Sequence, residues 1–446
     1  MDYFHDATHA SHFEGFISEN PQIEFVRHVY IDFSGIVRMR ILTVEYSSKL
    51  YRSGRSYGCG PALMMFNVSG TSEAKLPRPV KHQKFDLVPD WTSLRVCEFA
   101  PAHAWVMCFV RAAEETADPF FVCPKFLLAK VLERARAEAD LDVLIGFEIE
   151  FTLLDSTLQV AKSLDVPQGF NSASGLRDEK VAFFEEVVRA LRRSRIGVTH
   201  FHVECFHELE IATDPFPPME AVDNLIYTLE LIRTIALRHG YKATMSILPV
   251  TDDPTGVAPA NQLQPHFSIS KKGPTADHFL AGILTRVDEI TPFAMSSYDS
   301  YLNPFVDHGG YYASWGTENR DVVVRRVEDS HWEFRISDAT NNFYLTLAVM
   351  LSAGLDGIRD KTALTWGDLR LDFKDYTKEE LAALGVTKRL PTSLRLAVDV
   401  LRESEYLEGL LGKEMKSAYI LVKDTDERAF SSMREEEKRL QFIKHF

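Results

Sequence analysis

A chain of 446 residues is too long for one small core and predicts about two or three domains. Its 45% hydrophobic and 26% charged residues are ordinary for a folded soluble chain and exclude a disordered one. With 50 Lys and Arg against 64 Asp and Glu, the net charge of −14 argues against a nucleic-acid partner, which needs a basic face, but leaves room for phosphates held by a few placed arginines.

The N-terminal MDYFHDATHASHFEG lacks the basic and then apolar pattern of a secretory signal. Residues 22–45 alternate as two strands around a turn at Asp32–Gly35, and residues 86–112 add further short strands, which makes a small β-rich unit over 1–113. A helix starts at Pro124 with apolar Phe126, Leu127, Val131, Leu132 and Ala135, so the domain boundary is placed at 113/114 and a larger unit over 114–446. Helical patterns follow at Glu179–Arg195, Pro218–His239 and Asn342–Ile358, with strand patterns between them. The stripe Met219, Val222, Leu225, Ile226, Leu229 and Ile232 reads as core packing. The tail beyond Leu390 is helical, and its charges read as a solvated face. The stretch FYLTLAVMLSAGLDGI is broken by Asp356 and Arg359 too early to span a bilayer, so no membrane partner is expected. The five cysteines, Cys59, Cys97, Cys108, Cys123 and Cys205, form no CxxC pair, and reduced thiols in the cytoplasm fit best. Together these elements predict an α+β chain with helices backing a sheet.

Residues 143–154, VLIGFEIEFTLL, place two glutamates in a stretch otherwise suited to burial. On a strand Glu148, Glu150 and Thr152 share one face, and Phe147, Ile149, Phe151 and Leu153 the other. Carboxylates roughly 6 to 7 Å apart repel by about 2 kcal/mol at an effective dielectric near 20. Either solvent or a cation offsets this. Three more segments repeat the pattern. His200, His202 and Glu204, then Glu208 and Glu210, face away from Phe201, Val203, Leu209 and Ile211. Gln264, His266, Ser268 and Ser270 oppose Phe267 and Ile269, while His331, Glu333, Arg335 and Ser337 oppose Trp332, Phe334 and Ile336. Four such strands suggest one polar cavity in which hard cations meet carboxylates and arginines meet anions, although an ion-pair network could use the same residues. His200, His202 and His207 read as neighbours of such a site, not as ligands, because a hard cation prefers oxygen.

In order and spacing, DFSGIVRMR, DLVPDWTSLRV, GFEIEF, HVE…ELE, PFPPMEAVDNLIYTLELIRTIALRHGYKAT, SWGTENRDVVVRR and HWEFRISDATNNFYLTLAVMLSAGLDGI resemble the glutamine synthetase superfamily, in particular its γ-glutamyl-amine ligase members, over nearly the whole chain. The resemblance implies a β-grasp-like N-terminal domain and a catalytic domain whose curved antiparallel sheet, backed by helices, forms a funnel. It implies an ATP-dependent ligase that makes an acyl phosphate from a carboxylate substrate and displaces phosphate with an amine. It also implies two Mg²⁺ or Mn²⁺ sites and a homo-oligomer of stacked rings. Carried over, Glu150, Glu204 and Glu210 would hold one ion, and Glu148 and Glu333 the second. Arg320 would neutralise the transferring phosphoryl group, Arg325 and Arg335 would contact nucleotide phosphates, and His266 and Ser268 would line the nucleotide side. Phosphoryl transfer is mostly positioning and charge neutralisation, which suits such residues.

Several positions depart from the family pattern. Gln264 stands where members carry a metal-binding histidine, which weakens the second site. ANQL replaces the Gly-Ser-Gly loop, Ser300 the arginine that grips the substrate carboxylate, and His207 and Glu208 a Gly-Gln pair in a shortened segment. No aspartate lies between Ser53 and Ala74 to bind ammonium, and Asp307 or His308 lies nearest the flap glutamate. Metal and phosphate residues are largely kept while amino-acid and ammonium residues are largely lost. An amide ligase for other substrates is therefore expected in place of glutamine synthesis, with a catalytically degenerate scaffold or regulatory protein as the alternative.

Overall fold

The structure, a computed structural model, describes residues 6–60, 64–70, 84–113, 118–161, 171–177, 179–204, 208–250, 260–302 and 311–446. Cys205, His207, Asp307 and His308 lie outside the described residues, as do residues 114–117, against which the expected domain boundary falls. The described cysteines Cys59, Cys97, Cys108 and Cys123 are free. No described helix is long and apolar enough to cross a membrane.

Two sheets organise the α+β chain. In the first, β1 (Phe25–Ile31) and β2 (Val37–Thr43) form the expected hairpin. Next come β3 (Tyr57–Cys59), β4 (Phe85–Pro89), β5 (Arg95–Val96) and β6 (His103–Ala112), in the order β2-β1-β6-β4-β3 with β5 also on β6. The central β1–β6 pair is parallel, as a β-grasp-like sheet requires. A helix over Asp6–Glu19, unforeseen from the sequence, drives Phe13 against Tyr51 and Trp91, and Phe13 is completely buried.

The second sheet holds β7 (Val143–Leu154), β8 (Val198–Val203), β9 (Glu208–Thr213), β10 (Lys242–Thr244), β11 (Leu263–Ile269), β12 (Trp315–Thr317), β13 (Val324–Glu328) and β14 (His331–Phe334). Its order is β12-β13-β14-β11-β7-β9-β8, with β10 also on β7, and every pairing is antiparallel except the short β12–β13 contact. The period of two is kept: Phe147, Ile149, Phe151 and Leu153 are buried behind β7. Phe147 meets Phe343 edge-on, Phe151 meets Phe183 and Phe184, and Phe267 stacks on Trp332 with Phe279 beyond. Phe183 and Phe184, Phe279 and Phe343 sit on the helices Glu179–Arg193, Pro274–Thr285 and Phe343–Asp360, which back the sheet.

Buried polar groups lock the two parts together. In the β1–β2 turn Gly35 has φ +78°, and a Cβ there would stand 2.4 Å from the Thr340 carbonyl oxygen, so only glycine permits this approach. Asn342, which caps the helix Phe343–Asp360, donates to the Asp32 carbonyl at 3.0 Å. Deeper in, Lys125 of the helix Pro124–Ala139 donates to Asp223 at 2.6 and 2.7 Å and sits 3.0 Å from Asp90, which follows β4. Tyr344 also donates to Asp223. All four residues are buried.

The tail corrects one expectation. Its helices Leu394–Glu403, Glu405–Leu411, Lys413–Phe430 and Glu435–His445 are present, but Lys416, Lys423, Asp426, Lys438 and Arg439 are buried and not solvated. Asp426 accepts the backbone N–H groups of Val68 and Ser69, and Arg439 donates to the Pro249 carbonyl at 2.6 Å. Burial pushes the Lys423 ammonium down to about 8, against the pull of Asp426, Asp32 and Asp338. These five charges thus serve as internal pinning, while others such as Arg402, Glu403, Glu414, Arg434 and Glu436 lie exposed as expected, a split that composition does not reveal.

Replacing Lys125 with Met strips the cation from two buried aspartates, and the expected loss is roughly 3 to 5 kcal/mol. A urea titration measures it, and adding Asp223→Asn to Lys125→Met is expected to recover part of the loss.

Candidate active site

The inward face of the second sheet gathers the polar residues through strand register alone. Glu150 of β7 stands opposite Glu210 of β9, Thr152 opposite Glu208, and His202 of β8 opposite Glu210. On the other flank Gln264 of β11 stands opposite Glu148, and Glu333 of β14 stands opposite both His266 of β11 and Arg325 of β13.

Two groups result. In the first, carboxylate oxygens of Glu150, Glu204 and Glu210 lie within 4.8 Å of one another. Glu208, buried beside Glu150, adds a further negative charge. Burial, followed by Glu208, pushes Glu150 well above the usual carboxylate range. Burial and then Glu148, Glu204 and Glu333 push Glu210 to about 8. Glu204 also rises through burial, although His202 and Arg320 oppose it. Backbone amides offset part of this crowding. Gln262 N–H donates to Glu150 at 2.7 Å, and Ala260 N–H donates to Glu208.

In the second group Glu148, His266 and Glu333 bring one ligand atom each within 4.8 Å. His266 Nε2 is 3.0 Å from Glu148 Oε1, and its Nδ1 is 3.2 Å from His331 Nε2. Glu333 is completely buried, yet Arg325 Nη1 donates to one oxygen at 2.9 Å and Arg335 Nη1 to the other. Burial alone would raise Glu148, but His266, Arg335 and Arg320 hold it below the usual range.

The groups therefore differ in charge. Glu148 and Glu333 are balanced by Arg325 and Arg335, which touch Glu333 directly, whereas around Glu150, Glu204 and Glu210 the acids crowd one another and the guanidinium charges of Arg320 and Arg335 act only from a distance. Clustered oxygens in excess of positive charge suit a hard divalent ion.

Other expected residues fall around this centre. Arg320 is exposed, its carbonyl accepts from Arg335 Nε at 2.8 Å, and its charge reaches Glu148, Glu204 and Glu210. Ser268 lines a cavity of about 370 Å³ together with Glu148, His266 and His331. Gln264 is buried and donates to the Gln262 side chain at 2.7 Å. Ser300 turns away into a buried network with Ser297 and Asp338, so it brings no charge to the face. Asn261 is pinned by Thr152, Thr244 and Ser246. Glu208 and His331 were not singled out from the sequence as site residues, although both lie in the strands whose alternation marked the face.

Residues 121–441 match the family model described as glutamine synthetase, catalytic domain. The chain belongs to the glutamine synthetase family. Among its relatives, protein fluG of Emericella nidulans is 28% identical over 447 residues, 97% of this chain, and the chain spans 50% of that protein's length. Type-1 glutamine synthetase 1 of Dictyostelium discoideum is 23% identical over 96% of this chain and 91% of its own. A solved GmaS/ADP complex superposes with a TM-score of 0.79 at 23% identity, covering 95% of this chain and 98% of that one, which establishes the fold.

For this glutamine synthetase family member the crowded acids set a pH dependence. A carboxyl raised on folding binds its proton more tightly in the folded state, so stability is greatest below its unfolded value and falls as pH rises through the folded one. With divalent ions chelated, stability is expected to decline from pH 5 to 8. Glu210→Gln should flatten the decline and gain about 1 to 2 kcal/mol at pH 8, read from chemical denaturation.

Proposed function

We propose that the chain is an ATP-dependent ligase that joins a carboxylate to an amine through an acyl phosphate, on a substrate pair other than glutamate and ammonia. The observation that carries this reading is the convergence of the Glu150, Glu204 and Glu210 carboxylates on one crowded centre, with the charge of Arg320 reaching Glu204 and Glu210. Glu150, Glu204 and Glu210 would hold one Mg²⁺ or Mn²⁺. Glu148, His266 and Glu333 would hold the second, with the Gln264 amide where the family has histidine. When bound, such ions neutralise and polarise the phosphate oxygens.

The chain's own groups do the rest. Arg320, exposed and with its charge reaching Glu148, Glu204 and Glu210, is placed to neutralise a transferring phosphoryl group. Arg325 holds Glu333 through Nη1 and the largely exposed Glu318 through Nη2, so it can exchange Glu318 for a nucleotide phosphate while still anchoring Glu333. Arg335 sits at the same point and orients Arg320 through its carbonyl. His266 and Ser268 line the cavity assigned to the nucleotide, and the GmaS relative solved with ADP supports a nucleotide in this fold. Ser300 and Asn261 are both committed to internal hydrogen bonds, so no arginine grips an amino-acid carboxylate there and glutamate is disfavoured. In line with the family, the working form would be a cytoplasmic homo-oligomer of stacked rings built around small-molecule substrates.

A second reading, a degenerate scaffold, is favoured by one observation: Arg325 and Arg335 already satisfy Glu333, so the second group is neutral without an ion. One set of assays separates the two. Phosphate release is followed while acids and amines are scanned with ATP and Mg²⁺. A productive pair is expected, with γ-glutamyl transfer to hydroxylamine at background. Glu150→Gln, which keeps the acceptor for Gln262 N–H, and Arg320→Ala should each lower turnover about 100-fold or more. If no pair turns over and the biological role survives Glu150→Gln, the scaffold reading stands.

A further inference from the structure

His200 and His202 alternate on β8 with their rings parallel, 3° between planes and 5.4 Å between centroids, both facing Glu210. Their Nε2 atoms lie 3.4 and 3.3 Å from the same oxygen, Glu210 Oε1. The three residues bring their ligand atoms within 4.8 Å of one another.

The proton positions follow from the neighbours. The Thr199 hydroxyl donates to the Ala212 carbonyl at 3.3 Å, so at 3.0 Å it accepts from His200 Nδ1, which leaves the lone pair on Nε2. His202 Nδ1 lies 3.4 Å from the Glu204 carboxylate and Nε2 3.3 Å from Glu210, so Glu204 can take the Nδ1 proton when a cation occupies the Nε2 side. With both Nε2 atoms unprotonated, three acceptors gather around Glu210 Oε1, and the two nitrogen–oxygen distances of 3.4 and 3.3 Å suit a tetrahedral ion. Atoms bound at about 2.0 to 2.1 Å to tetrahedral zinc stand about 3.3 to 3.4 Å apart. Ligands of octahedral magnesium stand closer, at about 3.0 Å. Imidazole pairs also favour the borderline transition metals over hard cations.

We propose that His200, His202 and Glu210 form a site for a borderline transition cation such as Zn²⁺, distinct from the carboxylate group but sharing Glu210 with it. Water completes the tetrahedron on the half-exposed His200 side. Because one carboxylate serves both sites, Zn²⁺ and Mg²⁺ oppose each other's binding, and excess zinc would take Glu210 from the carboxylate group. The site uses only these side chains, so the presence or absence of ligase turnover does not bear on it.

The test uses the full chain stripped of metal. Co²⁺, a visible-absorbing stand-in for zinc, is titrated in and then displaced by Zn²⁺. The native chain should give the intense d–d bands of a low-coordinate nitrogen-ligated ion, and Mg²⁺ should weaken Co²⁺ affinity competitively. His200→Ala should lower Co²⁺ and Zn²⁺ affinity by about 10-fold or more. The same variant should keep Mn²⁺ binding, read by electron paramagnetic resonance, within about twofold, which also shows that it is folded. Unchanged zinc affinity in His200→Ala, no competition from Mg²⁺, or equal loss of Zn²⁺ and Mn²⁺ binding would each overturn the site.

Discussion

The alternation of β7 is the constraint on which the rest depends. Phe147, Ile149, Phe151 and Leu153 must face the helices to build the core, so Glu148 and Glu150 have no choice but the opposite side. A slip of one residue would bury both acids among phenylalanines. Because β7 is the hub that pairs β9, β10 and β11, its register also decides which residues of those strands meet the glutamates. Fold and site thus share one cause, and core packing on one face specifies charge crowding on the other.

The crowding is handled in two ways. Around Glu333 the protein brings its own cations, and two guanidinium groups satisfy a carboxylate with no solvent contact. Around Glu150 it brings backbone amides, which hold the acids in place but add no net charge. The first solution is closed and the second is open. An ion entering the open group gains the full attraction of several acids, whereas one entering the closed group must compete with Arg325 and Arg335. Gln264, which departs from the family pattern, lies on the closed side opposite Glu148.

The parity of the four polar strands was legible, and with it the gathering of Glu148, Glu150, Glu204, Glu210, His266 and Glu333, because period two survives in any sheet that buries one face. What could not be read was partnership between distant residues. Lys125 looks like one more helix lysine until Asp90 and Asp223 surround it, and Asp426 looks like a surface acid until the amides of Val68 and Ser69 reach it. Glu208 was visible only as a departure from a Gly-Gln pair, and its contact with Ala260 belongs to a loop whose path the sequence does not state. The Asp6–Glu19 helix has weak apolar periodicity, and its anchoring by Phe13, with Phe16 and Ile17 partly buried beside it, is too little for a pattern to reveal.

The ANQL segment joins these themes. Where the family places small flexible residues to receive an amino acid, this chain spends Asn261 on Thr244 and Ser246 and turns the amides of Ala260 and Gln262 toward Glu208 and Glu150. A loop held at that many points cannot move far to accept a substrate, and its rigidity is tied to the position of the acids themselves. The segment that departs from the family pattern is therefore the one whose amides support the acids, and Asn261 within it is buried in internal hydrogen bonds.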